Sequence, residues 1–396
     1  MANLNRRNFL RISATAGASA VLFPASAIAA AKNTDETKNE IPEKIPTRKL
    51  GNTGVELPIL SMGVMRADNP SVVRAAYNSG IFHFDTAHGY QKGKNEELLG
   101  NFFKEKPRDS FFLATKGKAN YPYSDTFEKD YAELFETSLQ RLQMDYVDLF
   151  YIHAVKDPEE IKDKRMMDIL QKFKSEGKTR FIGFSTHANN PELIDAAIET
   201  GIYNVILLSY NFKLKKLPET DAAIERGVKA GIGFVAMKTM TGGVEDAEGK
   251  KKINALACLK WAWENKNITT AIPGFSNYDE LDECLAAAHD PNLNQDEKAY
   301  LAGLYNQEML YCQNCGTCVE QCAEHLPIPD IMRAYMYTHG YKYPALSKET
   351  LLEVNLSATA CSSCSTCKVT CPSQFNIAQK IAAIAPVLQV PDEFLA

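Results

Sequence analysis

Residues 81–100 read IFHFDTAHGYQKGKNEELLG. The first seven residues form a short β-rich apolar run, and the remainder is a polar loop carrying Tyr90, five positions beyond Asp85. Runs of the same kind recur along the chain. They are ILSMGVM (59–65), FFLATKG (111–117), VDLFYIH (147–153), RFIGFST (180–186), VILLSYN (205–211), GFVAMKT (233–239) and TTAIPGF (269–275). Between them lie amphipathic stretches such as TFEKDYAELFETSLQRLQ, whose apolar residues fall at helical spacing. Eight strands interleaved with helices over roughly 245 residues predict an α/β fold, a (β/α)8 TIM barrel, whose usual size is about 250. A doubly wound open sheet is disfavoured, because no G-x-G-x-x-G follows the first strand. The preceding segment RKLGNTGVELP has turn signals at Gly51-Asn52 and Thr53-Gly54, consistent with a small hairpin closing the barrel floor.

In barrels of this class the chemistry sits at the C-terminal ends of the strands. Asp85 falls at the end of the second run, Lys116 of the third and His153 of the fourth. With Tyr90 in the loop, four groups can converge above the barrel. Each alone has a bland explanation, such as a turn cap or a core histidine. Their arrival at matching heights favours a catalytic site.

Beyond the barrel, eight of the ten cysteines form two runs of identical C-x2-C-x2-C-x3-C spacing. They are Cys312, Cys315, Cys318 and Cys322, then Cys361, Cys364, Cys367 and Cys371. This is the spacing that holds [4Fe-4S] cubes, the fourth cysteine often closing the neighbouring cube. Two clusters are therefore expected, and with them single-electron chemistry. Disulfides are the rival in an exported chain, but cysteines three apart in a turn bridge each other poorly. Structural zinc generally uses paired C-x2-C knuckles. Cys258 and Cys284 stand alone in apolar helical patterns and read as small buried hydrophobes.

At the N-terminus, Arg6 and Arg7 precede Phe9 and Leu10, a short apolar stretch and an A-x-A site at Ala27-Ile28-Ala29. Residues 1–31 read as a signal peptide rather than a membrane span. The arginine pair resembles a twin-arginine (Tat) signal, which implies a periplasmic protein exported after folding. Residues 32–47 form a polar linker, 48–292 the barrel and 293–396 a small helical ferredoxin-like domain. The chain's formal charge is −5, and residues 1–30, with three arginines and no acids, leave −8 when removed. That balance points away from nucleic acid and anionic membranes. With 45% apolar residues the chain can bury a sizeable core.

The motifs FHFDTAHGY…NEELLG, FLATKG, VDLFYIH and GFST together resemble the aldo–keto reductase family across roughly residues 48–290. The resemblance maps a catalytic tetrad onto Asp85, Tyr90, Lys116 and His153, acting on a small-molecule carbonyl or alcohol. Tyr90 would protonate the alkoxide formed on reduction, Lys116 would lower the phenol's pKa, Asp85 would position Lys116, and His153 would orient the carbonyl oxygen. The resemblance also implies an NAD(P)(H) site. Ser185 and Asn211 would lie at the nicotinamide, Met237 and Lys238 on strand seven, and Ser276 and Asn277 at strand eight. Leu207 and Met237 replace the family's usual glutamine and stacking aromatic. The segment Gly274–Glu280 lacks the basic residues that grip a 2′-phosphate, leaving NAD(H), NADP(H) or neither open.

The tail resembles the helical dicluster ferredoxin module found on a branch of that family. Its two halves echo each other, CQNCGTCVEQCAEHLPIPDIMRAY against CSSCSTCKVTCPSQFNIAQKIAAI, each run followed by an amphipathic helix. By the same resemblance Cys322 would ligate with the second run and Cys371 with the first. The expected function is an exported iron–sulfur reductase with a redox partner. The alternative is an electron-transfer subunit whose barrel is a docking scaffold.

Overall fold

The structure, a computed structural model, describes residues 44–242, 253–305, 310–362, 364 and 367–395. The expected signal segment lies outside the described residues, as does most of the linker. A hairpin opens the described chain, with β1 (Thr47–Lys49) antiparallel to β2 (Glu56–Pro58). Eight parallel strands follow in sequence order: β3 (Met62–Gly63), β4 (His83–Asp85), β5 (Phe112–Gly117), β6 (Val147–Val155), β7 (Thr179–Thr186), β8 (Val205–Ser209), β9 (Gly233–Met237) and β10 (Ile268–Ala271). The ends of the sheet meet through a bridge between Leu60 and Ala271 and a bond from the Gly63 amide to the Pro273 carbonyl at 3.0 Å. Each falls within or across one of the runs read from the sequence.

Alternation along the strands sorts the residues. Phe112, Ala114, Leu149, Tyr151, Val205, Leu207 and Val235 fill the barrel interior, and Leu50 and Leu57 of the hairpin join them from below. The opposite faces pack on the helices. In helix Phe127–Leu142 the buried side chains Phe127, Tyr131, Phe135 and Leu139 recur every four residues. They place Phe135 in a stack with Phe150 of β6 at 4.0 Å between centroids. Each such large apolar side chain contributes about 1.5–3 kcal/mol on burial.

Past the barrel come helices Gln295–Tyr305, Ile328–His339, Pro344–Glu353 and Ile377–Ile384. Their core gathers Ile331, Met332, Leu351 and Ile381, with Cys318 buried in it and Cys312, Cys322, Cys361 and Cys371 at its margin. Among the described residues no helix is long and apolar enough to cross a membrane. Cys258 and Cys284 are buried in barrel helices with raised thiol pKa values, as expected for inert core thiols.

Candidate active site

The strand ends bring the tetrad together. Lys116 donates to the Asp85 carboxylate and, at 2.6 Å, to the Thr86 carbonyl, and both charged side chains are nearly inaccessible. Burial pushes Asp85 up and Lys116 down, and the attraction between them opposes both shifts. The Lys116 ammonium lies 5.0 Å from the centre of the Tyr90 ring, and the His153 ring meets Tyr90 edge-on at 5.7 Å.

Tyr90 opens a short turn, Tyr90–Gly93, that local chemistry holds in an unusual shape. Gln91 and Lys92 adopt left-handed φ values of 51° and 54°, costing about 1–2 kcal/mol each. In compensation, the Gln91 amide donates to the carbonyls of Met65 (3.0 Å) and Ala67 (3.3 Å). Asn95 donates to Val64 at 2.7 Å and accepts from Thr86 at 2.6 Å, tying the turn to β4. Gly93, at φ 92°, lies against the Arg141 guanidinium where a Cβ would collide.

One electrostatic expectation is reversed. Burial raises the Tyr90 phenol above its ordinary range, and the charges of Asp85 and Tyr341 raise it further. Lys116 spends its hydrogen bonds on Asp85 and Thr86 and faces only the Tyr90 ring, so its lowering effect does not win. Tyr90 is therefore a neutral phenol, the form that can donate a proton. His153 is held neutral by burial and by Lys116, Lys118 and Arg333.

Beneath the tetrad, Asp85 Oδ2, the Tyr151 hydroxyl and both ring nitrogens of His83 are buried without a hydrogen-bond partner. Burial and Lys116 pull His83 down to about 3.

Above it opens a cavity of about 700 Å³ reached by Tyr90 and His153. Its roof comes from the C-terminal module and was not anticipated from the sequence. Tyr341 accepts from Lys238 Nζ at 3.0 Å, and the same ammonium lies 4.8 and 5.3 Å from the Tyr341 and Tyr337 ring centres. The Arg66 guanidinium also lies over the Tyr341 ring, 5.6 Å from its centre. Asp330 binds Arg333 and, at 2.9 Å, Lys156, the residue just past β6. Gly242, at φ 105°, admits Met336 so closely that a Cβ would sit 2.6 Å from its sulfur. The only sequence signal for this roof is the aromatic cluster AYMYTHGYKY (334–343).

Of the expected nucleotide residues, Met237 and Lys238 line this cavity and Asn211 lines a smaller one beside it, while Ser185, Asn211, Ser276 and Asn277 are hydrogen-bonded within the protein. Ser185 Oγ accepts from the Ala154 amide at 2.9 Å. Asn211 donates to the Lys238 carbonyl at 3.1 Å and accepts from the Lys213 amide at 3.0 Å. Asn277 caps its helix by accepting from the Glu280 amide at 2.9 Å, and the Ser276 amide donates to the Glu280 carboxylate at 2.7 Å. Leu207 and Met237 present apolar surface to the cavity. A cation does reach the eighth-strand segment, from a distant loop. Arg66 contacts Gly274 O, Ser276 and Glu280 at 3.3–3.4 Å. Its charge is met by Glu280, so this donor set does not form a grip for a dianionic phosphate.

The eight cysteines lie near one another in two overlapping sets, with Cys322 also among the neighbours of Cys318. The thiol of Cys312 is pushed up to about 12 by burial, with Cys315, Cys318 and Cys371 as its like-charge neighbours. The corresponding neighbours of Cys361 are Cys322, Cys364 and Cys367. Among the described residues no three His, Cys, Asp or Glu side chains are drawn together tightly enough for a single metal ion. A four-iron cube holds its thiolates farther apart than one ion does, and a set of four thiols at one locus fits such a group.

Residues 57–255 match the model of the aldo/keto reductase family, and residues 291–375 match that of a 4Fe-4S dicluster domain. L-galactose dehydrogenase of Arabidopsis thaliana is 28% identical over 298 residues, covering 64% of this chain and 92% of its own. L-glyceraldehyde 3-phosphate reductase of Escherichia coli O157:H7 is 24% identical over 320 residues, covering 64% and 90%. Among solved structures, an aldo-keto reductase from Bacillus halodurans in its holo form superposes with a TM-score of 0.54 at 21% identity, covering 66% of this chain and 96% of its own. That superposition speaks to the fold alone.

Proposed function

The chain belongs to the aldo/keto reductase family, and on that premise we propose that it interconverts a small-molecule carbonyl and its alcohol with Tyr90 as general acid/base. The observation that carries this reading is the Tyr90 phenol beside His153 at the floor of one cavity, over a buried Lys116–Asp85 pair. His153 would donate to the carbonyl oxygen and fix its direction. Tyr90 would pass its proton to that oxygen as negative charge builds there, and would take it back in the oxidative direction. Lys116, held by Asp85 under the ring, would stabilise the phenolate left behind.

Cys312, Cys315, Cys318 and Cys371 would hold one [4Fe-4S] cluster, and Cys361, Cys364, Cys367 and Cys322 a second. When bound, such clusters supply or accept electrons one at a time. The engaged polar atoms around Ser185, Asn211 and Asn277 favour the clusters over a nicotinamide nucleotide as the route for electrons; each carbonyl reduced by that route takes two electrons and two protons, one to oxygen from Tyr90 and one to carbon from solvent. A redox partner would then exchange electrons with the module. Arg6 and Arg7 make the protein a candidate for twin-arginine export to the periplasm, where free nicotinamide nucleotide is not expected.

The test uses anaerobically purified full-length protein supplied with reduced viologen or with NAD(P)H. Carbonyl reduction that is lost in Tyr90→Phe, with cluster absorbance intact, is the expected result. The second reading, a barrel that serves only as a docking scaffold, is favoured by the roof that the module lays over the mouth. It would be supported by fast cluster turnover with a partner and no carbonyl reduction by any donor. Export is checked separately by replacing Arg6 and Arg7 with lysine, which should strand the protein in the cytoplasm.

A further inference from the structure

Lys238 is one of four residues, with His187, Gly242 and Arg333, that line both the carbonyl cavity and the small cavity beside Cys312. It follows β9 with a left-handed φ of 57°, a conformation that costs a non-glycine residue about 1–2 kcal/mol. Its backbone is held in that shape because its carbonyl accepts from Asn211 Nδ2 at 3.1 Å and from the Thr241 amide at 3.0 Å. The side chain is aimed at the module, where Tyr341 and Tyr337 surround the ammonium.

Two cavities meet at this residue. One is the large cavity containing Tyr90 and His153. The other, of about 50 Å³, is lined by Lys238, His187 and Arg333 together with Cys312, the first thiol of the first run. The loop after Cys312 is pinned to the barrel. Gln313 donates to the Thr241 carbonyl at 2.8 Å, Asn314 to the His187 carbonyl at 3.2 Å, and Lys215 to Thr317 at 3.0 Å. The second run stands apart: Cys364 and Cys367 are exposed to solvent, and no member of that run lines either cavity. The two cysteine sets are therefore unequal by position, although their sequences repeat.

We infer that Lys238 couples the carbonyl site to the cluster of Cys312, Cys315, Cys318 and Cys371 by charge, raising the reduction potential of that cluster and leaving the other unaffected. The inference rests on the cluster half of the function proposed above. A reduced cluster carries one more negative charge than an oxidised one, so a nearby ammonium favours reduction. Lys238 is half-buried under the module, which lessens screening of its charge. Lys238 touches no reacting atom on this account and is a positioning residue.

The experiment is an EPR-monitored redox titration of anaerobically purified full-length protein, native and with Lys238→Met, Lys238→Gln or Lys238→Arg. Cys364→Ser identifies the signal of the second cluster. Lys238→Met should move the potential of the other signal to a more negative value, and Lys238→Arg should restore it toward the native value. The methionine and glutamine variants both lack the charge, so either one that retains about eight irons carries the measurement. Unchanged potentials in the neutral variants, or a shift confined to the signal altered by Cys364→Ser, would overturn the inference. The potentials are read without turnover, so this outcome is separate from whether Tyr90 reduces a carbonyl.

Discussion

The floor of the carbonyl cavity is made by side chains leaving adjacent barrel strands, whereas its roof is a helix and loop from a module that begins after the last strand. On the floor, Asp85, Lys116 and His153 are placed by the parallel ladder itself, in which Asp85 pairs with Ala114 and Lys116 with Tyr151. The roof depends on docking. Tyr341 rests on Lys238 and Arg66, and Asp330 on Lys156 and Arg333. On the proposed function, the contrast separates a proton site that the barrel can build alone from an electron-handling module that must be held against it.

Substitutions on the two surfaces should therefore fail differently. The largest effect is expected at the floor. Tyr90→Phe should cut carbonyl turnover by about 10²–10⁴-fold, the range for losing a general acid, while iron content stays native. If the variant keeps full turnover, the proton donor lies elsewhere and the floor loses its assigned role. Lys116→Met leaves the Asp85 carboxylate buried without its cation, which should cost about 3–5 kcal/mol of stability. Denaturant unfolding measures this, and a negligible loss would mean that the pair is not an ion pair.

A third effect comes from His83, below the pair. Its folded pKa is depressed to about 3, so the fold favours the neutral ring. This contribution is fully present above the unfolded value of about 6.5 and is lost as pH falls from there toward 3. The slope should reach about 1.4 kcal/mol per pH unit. Melting curves of His83→Leu across that window should be flatter than native; an equal slope would assign the acid sensitivity to other groups. The smallest effect belongs to the roof. Tyr341→Phe removes one hydrogen bond from a charged donor, about 1.5–3 kcal/mol, and should alter KM more than kcat. A collapse of kcat in this variant would erase the distinction between roof and floor.

The sequence was readable where chemistry follows local periodicity. The short β-rich apolar runs that end at Asp85, Lys116 and His153 read as buried strands, and their strand-end positions follow. The cysteine spacing is likewise local, and so marked the two cluster loops. What escaped reading depends on contacts between distant segments. Arg66 reaches Glu280 only because β3 and β10 meet at the barrel seam, and no spacing rule links those positions. Tyr341 reaches Lys238 only because Gly242 lets the helix Ile328–His339 approach. The phenol of Tyr90 was expected to be lowered by Lys116, but Asp85 and Thr86 claim the ammonium and burial prevails. The apolar Leu207 and Met237 were visible as departures, yet the engagement of Asn211 with Lys238 was not.

The central proposal is that the floor of the carbonyl cavity supplies the proton while reducing equivalents enter through the module above it. Its most direct test is nucleotide-free carbonyl reduction by reduced viologen, comparing anaerobically purified native protein with Tyr90→Phe. The account predicts turnover in the native protein and its loss in the variant, with the clusters of both remaining reducible. Equal turnover in the two proteins would contradict it.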